Sequence, residues 1–292
     1  PVVAVAGRSV CVGLAGLAMK RLQPEAGFSA GWLQLREPFD AAARSKAAPR
    51  LGLEARLAGW RRGASGPLRV VDLGCGTGAN LRWLAPRLGG AQQWMAVDHD
   101  AALLRHWPLA LASASPAAPG SPVPLQGRSL DRPLQFRGLG FHADIVRCRL
   151  DLAEALETLP WPDVQLVTGS ALLDLPGADW LERLAAATAQ AGAALLMALS
   201  VDGRHRWGPV DVDDDAVGAL FAAHQRRDKG FAGPALGPAG AHALARALRR
   251  CGYRVHSARS DWVLDGGSRS VSESGSPPVS YTHLTLPTIL RV

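Results

Sequence analysis

The residues best suited to chemistry lie in one short run, VVDLGCGTGAN, from Val70 to Asn80. A β-branched segment ends in Asp72 and passes into Gly74-Cys75-Gly76-Thr77-Gly78, after which a helical pattern begins. Glycines permit positive φ and let a ligand lie against bare backbone. The start of the helix adds free N–H groups and the positive end of its dipole. Asp72, two residues before the first glycine, is placed to receive a cationic amino or sulfonium group. Asp98 closes the next apolar run, where the hydroxyls of a ribose need an acceptor. Gly74, Gly76 and Ala79 also satisfy the dinucleotide pattern G-x-G-x-x-[GA], with Asp98 about 20 residues further on. Asp98 serves either ligand. Asp72 and the third glycine, Gly78, complete D-x-G-x-G-x-G and favour the cationic one.

A second group of polar residues falls in Asp202–Pro238. There DDDAVGALFAAHQRRDKG reads as a helix, with Asp213, Asp214 and Asp215 at its start and Arg226, Arg227 and Lys229 at its end. Val217, Leu220, Phe221, His224 and Asp228 share one face. His224 and Asp228 then extend an inward stripe, either as an acceptor-binding or proton-removing pair or as a pair that orders the segment. Arg227 belongs to a solvated helix end or grips an acidic acceptor. Asp174, a few residues past VTGS, faces the same pocket or is a loop acid, and Trp207 supplies an apolar wall. Asp40 and Arg44, four apart, make a surface ion pair or lie on a helix that closes over the cofactor.

Short β-branched runs alternate with Ala/Leu-rich stretches, the pattern of a parallel α/β sheet. Strands are expected at 68–74, 92–98, 144–151, 163–170, 193–200 and 253–264. Helices are expected at 31–60, 80–88, 101–112, 178–192 and 240–252. Ser113–Gly140, rich in Pro, Gly and Ser, reads as a loop insertion. The connection from Asp202 to Pro238 is long for an α/β unit, where about 2–6 residues are usual. It leaves the carboxyl edge of the sheet, where such folds bind ligands, and so reads as a cap over the acceptor.

The chain has 292 residues, a net charge of +7 and four cysteines, none in a C-x-x-C pair. That composition suggests a reducing, cytoplasmic setting and neither a metal site nor a disulfide framework. Arg residues are scattered rather than striped with aromatics, so no nucleic-acid footprint stands out. No apolar run reaches the ~18 residues of a membrane helix. Residues 1–27 read as a leader outside the fold, with Met19 as an alternative start. The domain is expected over 28–265, with 202–238 as its cap. From Gly266 the composition turns to Gly, Ser and Pro, and VSYTHLTLPT (Val279–Thr288) resembles the translation of a transposase adaptor used in sequencing libraries. Residues 266–292 are therefore expected to be a disordered or artefactual tail that joins no sheet.

The run D-L-G-C-G-T-G resembles motif I of the class I S-adenosylmethionine-dependent methyltransferases, and the resemblance extends over about Phe28–Leu264. FDAAARS, VTGSALLDL and HQRRDKGFAGPALGP resemble a bacterial branch of unassigned substrate. The resemblance implies a doubly wound, Rossmann-like, mostly parallel sheet with S-adenosylmethionine as cofactor. It implies that Gly74, Cys75, Gly76 and Gly78 cradle the methionine part and that Asp98 holds the ribose. Asp151 would then meet the adenine amino group, and Gly169 and Ser170 would lie beside the methyl group. As helix N-cap, Asp151 has a purely structural alternative. No N-P-P-[YF] or D-P-P-Y follows the fourth strand and no Pro-Cys pair is present, so the nucleobase methylases are not matched. The last antiparallel strand of that family has no candidate after Leu264, as a truncated gene would explain. Three functions remain in view: methyl transfer to a small or medium-sized soluble acceptor, RNA or protein methylation, and an NAD(P)-binding oxidoreductase. The sequence names no catalytic residue.

Overall fold

In the computed structural model, residues 28–63, 65–114, 130, 132–205, 211–263 and 288–289 are described. The 1–27 leader, Trp207 and most of the tail lie outside them. Seven strands form one sheet: β1 (Leu68–Leu73), β2 (Gly90–Asp98), β3 (Leu134–Gly138), β4 (Phe141–Arg149), β5 (Leu166–Ser170), β6 (Ala194–Ala198) and β7 (Thr288–Ile289). Their order is β3-β4-β2-β1-β5-β6-β7. The five central strands, β4-β2-β1-β5-β6, are parallel, and β3 and β7 are antiparallel edges. This is a doubly wound α/β sheet whose order reverses between β1 and β5.

Eight helices accompany the sheet among the described residues: α1 (Ala30–Ala47), α2 (Leu53–Gly63), α3 (Ala79–Leu88), α4 (Ala101–Ala114), α5 (Leu152–Ala155), α6 (Ala178–Gln190), α7 (Asp214–Gln225) and α8 (Gly240–Arg250). The β1–α3–β2 and β5–α6–β6 units run outward in opposite directions. With one right-handed crossover sense, their helices fall on opposite faces. Strands β5 and β6 are accordingly apolar on both sides, with nearly every residue buried. The core holds Trp94, Trp107 and Trp180 together with the leucines of α3, α6 and α8.

Several sequence expectations are corrected. The segment expected as one helix over 31–60 is two helices. Pro49 opens a short 3-10 turn after α1, and Gly52 ends it at φ 56°. Within the expected 113–140 loop, Leu134–Gly138 forms β3 and turns through Leu139–Gly140 into β4. Phe136 faces the core there and packs edge-on against Phe141, a short alternation hidden by the Gly-rich surroundings.

Tyr253–Leu264, expected as a strand, has only a single bridge residue, His256, among its described positions. Side chains fix this segment near the β6 edge instead. The Tyr253 hydroxyl donates to the carbonyls of Thr188 and Ala193, and Trp262 Nε1 donates to Asp40. At that edge Thr288 and Ile289 pair antiparallel with Met197 and Leu196. The expectation that the tail joins no sheet is thereby corrected for these two residues. The open backbone groups of β6 are a template for a β-prone dipeptide.

Candidate active site

The glycine loop leaves β1 at the point where strand order reverses. Gly74, Gly76 and Gly78 have φ of 62°, 52° and 85°, all left-handed. A Cβ on Gly78 would stand 2.9 Å from the Trp107 indole, and one on Gly76 3.1 Å from Leu33 of α1. Glycine is thus required at Gly78 for packing against α4 and at Gly76 for the approach of whatever covers the loop. The Cys75 side chain belongs to the core, and burial raises its thiol pKa well above the ordinary value. Only its backbone is available to a ligand.

Asp98 organises this loop. Its Oδ2 accepts the Gly76 N–H at 2.8 Å and its Oδ1 the Asp100 N–H at 2.9 Å. The Trp107 indole N–H closes the other side by donating to the Gly76 carbonyl. A carboxylate at this position therefore shapes the loop.

Beneath the loop lies a buried polar network. Asn80 donates to Asp72 Oδ1 at 2.8 Å and to Thr168 Oγ1 at 3.0 Å. Arg44 reaches over from α1 and donates to Asn80 Oδ1 at 3.0 Å. Two charged atoms there have no hydrogen-bond partner, Asp72 Oδ2 and Arg44 NH2. Burial lifts the Asp72 carboxyl to about 7, against the pull of Asn80 and Arg44. Burial also lowers Arg44 to about 10, opposed by Asp40 and Asp72. The expected Asp40–Arg44 side-chain pair is not formed. The Asp40 carboxylate is held by Arg36, and Arg44 Nε bonds only the Asp40 carbonyl. Against Arg44 and Asn80 is a cavity of about 10 Å³, room for about one water.

A third acid stands at the head of α3. Glu37 accepts from Arg82, 2.7 Å between Oε1 and Nε, and Arg82 also donates to the Thr77 carbonyl. Neither Glu37 nor Arg82 is signalled by the glycine motif. Only the contact of α1 with α3 brings them there.

The large cavity, about 440 Å³, lies at the carboxyl ends of β5 and β6, and none of residues 72–80 or Asp98 lines it. Ala171 and Leu199, just past those strands, line it in left-handed conformations, φ 56° and 60°. For non-glycine residues that conformation costs about 1–3 kcal/mol each and is typical of functional sites. Phe28, Trp32 and Arg36 enter from the start of the chain's described part. Trp262 closes one side, and Val217, Gly218, Phe221 and Gln225 of α7 close another.

Among the acceptor-side residues expected from sequence, Asp174 lines this chamber. It is 8% exposed, with Lys229 Nζ 3.7 Å from its Oδ2. Burial raises its pKa, and Lys229 pulls it back. His224, Arg227 and Asp228 are exposed and do not line the chamber. The expected shared face fails at Asp228 because α7 ends at Gln225, whereas His224 is still within α7 and is exposed. Asp228 sits in a turn, accepting the Gly230 N–H and bridging to Pro234. Lys229 folds back onto Asp174 instead of ending the helix in solvent. His205 lines the chamber and was not anticipated from sequence. Its ring lies where a Cβ on Gly218 would stand, so Gly218 makes room for it.

On the remaining positions, Asp151 is exposed and caps α5 by accepting the Ala153 N–H. Gly169 is held bare by Met197 and by the Leu73 carbonyl, 3.1 Å from where its Cβ would lie. Ser170, partly exposed, ends β5. No group of three or more potential metal ligands occurs among the described residues, and none of their helices is long and apolar enough to cross a membrane.

No family model matches the chain, and no curated protein does. Solved structures similar to it include a precorrin-6y C5,15-methyltransferase of Geobacter metallireducens, 13% identical with a TM-score of 0.39, covering 82% of this chain and 86% of that one. An S-adenosylmethionine-dependent methyltransferase of Mesorhizobium loti is 19% identical with a TM-score of 0.38, covering 80% and 96%. An arsenic(III) methyltransferase of Chlamydomonas reinhardtii is 14% identical with a TM-score of 0.38, covering 78% and 64%. Likenesses this distant carry no argument. The fold rests on the strand order above, and the function on the residues.

Proposed function

We propose that this chain is an S-adenosylmethionine-dependent methyltransferase acting on a small or medium-sized acceptor. The observation that carries the reading is the left-handed glycine loop D-L-G-C-G-T-G at the switch point, above two buried polar atoms without hydrogen-bond partners, with a separate chamber at the carboxyl ends of β5 and β6. The amino-acid end of the cofactor needs an acceptor for its ammonium and a donor for its carboxylate. Asp72 Oδ2 and Arg44 NH2 are an acceptor and a donor without hydrogen-bond partners beneath the loop, beside room for about one water, so they serve that end through the loop or a bridging water rather than by direct contact. Asp98 suits the ribose hydroxyls, and Asp151 retains one carboxylate oxygen for the adenine side.

The electrostatics disfavour the dinucleotide alternative. A pyrophosphate at the head of α3 would meet the Asp98 carboxylate that holds the Gly76 N–H, while Glu37 keeps the nearby Arg82 occupied. A sulfonium-bearing ligand gains from the same acids. When bound, that ligand supplies an already activated methyl group, so the protein has mainly to align the acceptor for in-line displacement and take a proton from it. The chamber at the ends of β5 and β6 is the place for the acceptor, and α7 with its flanking loops acts as the cap. RNA or protein as acceptor has only the positive net charge behind it.

Incubation of the protein with labelled S-adenosylmethionine and a fractionated metabolite extract tests this reading. Label is expected in a low-molecular-weight fraction. Label confined to added RNA or protein would move the assignment to the second class.

A further inference from the structure

The chamber's walls carry more information than its position. Four aromatic residues reach it from three separate parts of the chain: Phe28 and Trp32 near the start of α1, Phe221 on α7, and Trp262 beyond α8. Phe28 is 54% exposed, Trp32 47% and Phe221 37%. Large rings left this open around one cavity are the surfaces on which a flat apolar ligand gains most.

The charges on the same walls cancel in pairs. Arg36 is held by both oxygens of Asp40 at 3.0 and 3.2 Å and lies 5.0 Å from the Trp262 ring centre. Arg204 is held by Asp202, with 2.8 Å between Nε and Oδ2. Lys229 faces Asp174 and donates to Gln225. Each of these cations already has an acid, so a carboxylate or phosphate acceptor would have to break a pair to be neutralised. An ammonium acceptor meets the same obstacle in the acids. A neutral acceptor disturbs none of them.

Resting on the methyltransferase reading above, we propose that the acceptor is a neutral aromatic hydroxyl compound, methylated on oxygen, with Asp174 as the group that takes the phenolic proton. The ring lies between the aromatic walls, and the hydroxyl points to the buried carboxylate at the carboxyl end of β5. The phenolic oxygen forms its bond to the methyl carbon as the carbon–sulfur bond breaks. The sulfur keeps that electron pair and becomes a neutral thioether, and the hydroxyl proton passes to Asp174. Burial strengthens the carboxylate as a base, and Lys229 neutralises its one charge before the step and is left as the cation once the proton has passed to Asp174. A general base of this kind contributes about 10²–10⁴-fold.

The test uses the full chain, S-adenosylmethionine, and a panel of 4-methylphenol, 4-nitrophenol, 4-methylaniline and 4-methylbenzoate, with S-adenosylhomocysteine binding measured alongside. The wild type is expected to methylate 4-methylphenol and, with a higher KM at pH 8 because its anion meets the Asp174 carboxylate, 4-nitrophenol, and neither of the others. Asp174→Asn should lose about 10²–10⁴-fold in kcat with 4-methylphenol. It should lose less than tenfold at pH 8 with 4-nitrophenol, which is already ionised and needs no base. Phe221→Ala, on an exposed helix face, should raise KM for both phenols with kcat little changed. An equal loss for both phenols in Asp174→Asn would overturn the role of Asp174. Transfer to the aniline or the benzoate in preference to the phenols would overturn the acceptor class while leaving a methyltransferase. Binding of S-adenosylhomocysteine with no transfer to any phenol would do the same. Failure to bind S-adenosylhomocysteine would overturn the methyltransferase reading and this proposal with it.

Discussion

The two halves of the site are built in opposite ways. The glycine-loop half is closed and over-determined: Asp98, Trp107 and Asn80 all bond within it, and Leu33 stands on it. The chamber half is open, walled by exposed rings and strained at Ala171 and Leu199. A rigid loop suits a cofactor that is the same in every turnover. A loosely assembled chamber suits a part that sets the acceptor. Function should therefore be lost abruptly by changes in the first half and altered by degrees in the second.

The sharpest break comes at Gly76. Gly76→Val adds a side chain at φ 52°, directed at Leu33, and should reduce S-adenosylhomocysteine binding below detection while the protein stays folded by circular dichroism. Unchanged affinity would remove the loop from the cofactor site. Next is Asp98→Ala, which forfeits charge-assisted hydrogen bonds worth about 1.5–3 kcal/mol. Affinity should fall roughly 10–150-fold, and a change of less than about threefold in titration would show that Asp98 serves the fold alone.

Asp72 sharpens the comparison through pH. Its folded-state pKa is raised from 3.8 to about 7, so the folded protein holds this proton more tightly than the unfolded chain. The corresponding stability is fully present below about pH 4 and is lost as pH rises through about 7. Asp72→Asn removes this dependence. The melting-temperature difference between variant and wild type should shift in favour of the variant from pH 5 to pH 8. A constant difference would place the carboxyl in an unperturbed environment. The smallest effect is expected at Glu37→Gln. Its pair with Arg82 is only partly buried, and S-adenosylhomocysteine affinity should weaken about two- to fivefold. Tighter binding of NADH in that variant would favour the dinucleotide alternative.

How much was legible beforehand follows the same division. Asp72, the glycines and the start of α3 lie within eleven residues, so their local pattern determines their geometry, and the central strands read directly from apolar runs. The chamber joins Trp32, Asp174, His205, Phe221 and Trp262, distant in sequence, and no spacing rule connects them. Helix periodicity placed Asp228 with Phe221 and His224, but it could not tell that a turn intervenes after Gln225. Tyr253–Leu264 had the composition of a strand, yet a strand also requires a neighbour, and that depended on residues far along the chain.

The central claim is that the loop between β1 and α3 binds an S-adenosyl amino acid rather than a dinucleotide. Isothermal titration of the wild-type protein with S-adenosylhomocysteine and, separately, with NADH and NADPH tests it most directly. The account predicts one-to-one binding of S-adenosylhomocysteine, tightening as pH rises through 7 and Asp72 ionises, and no heat from either dinucleotide. Saturable binding of NADH or NADPH with none of S-adenosylhomocysteine would contradict it.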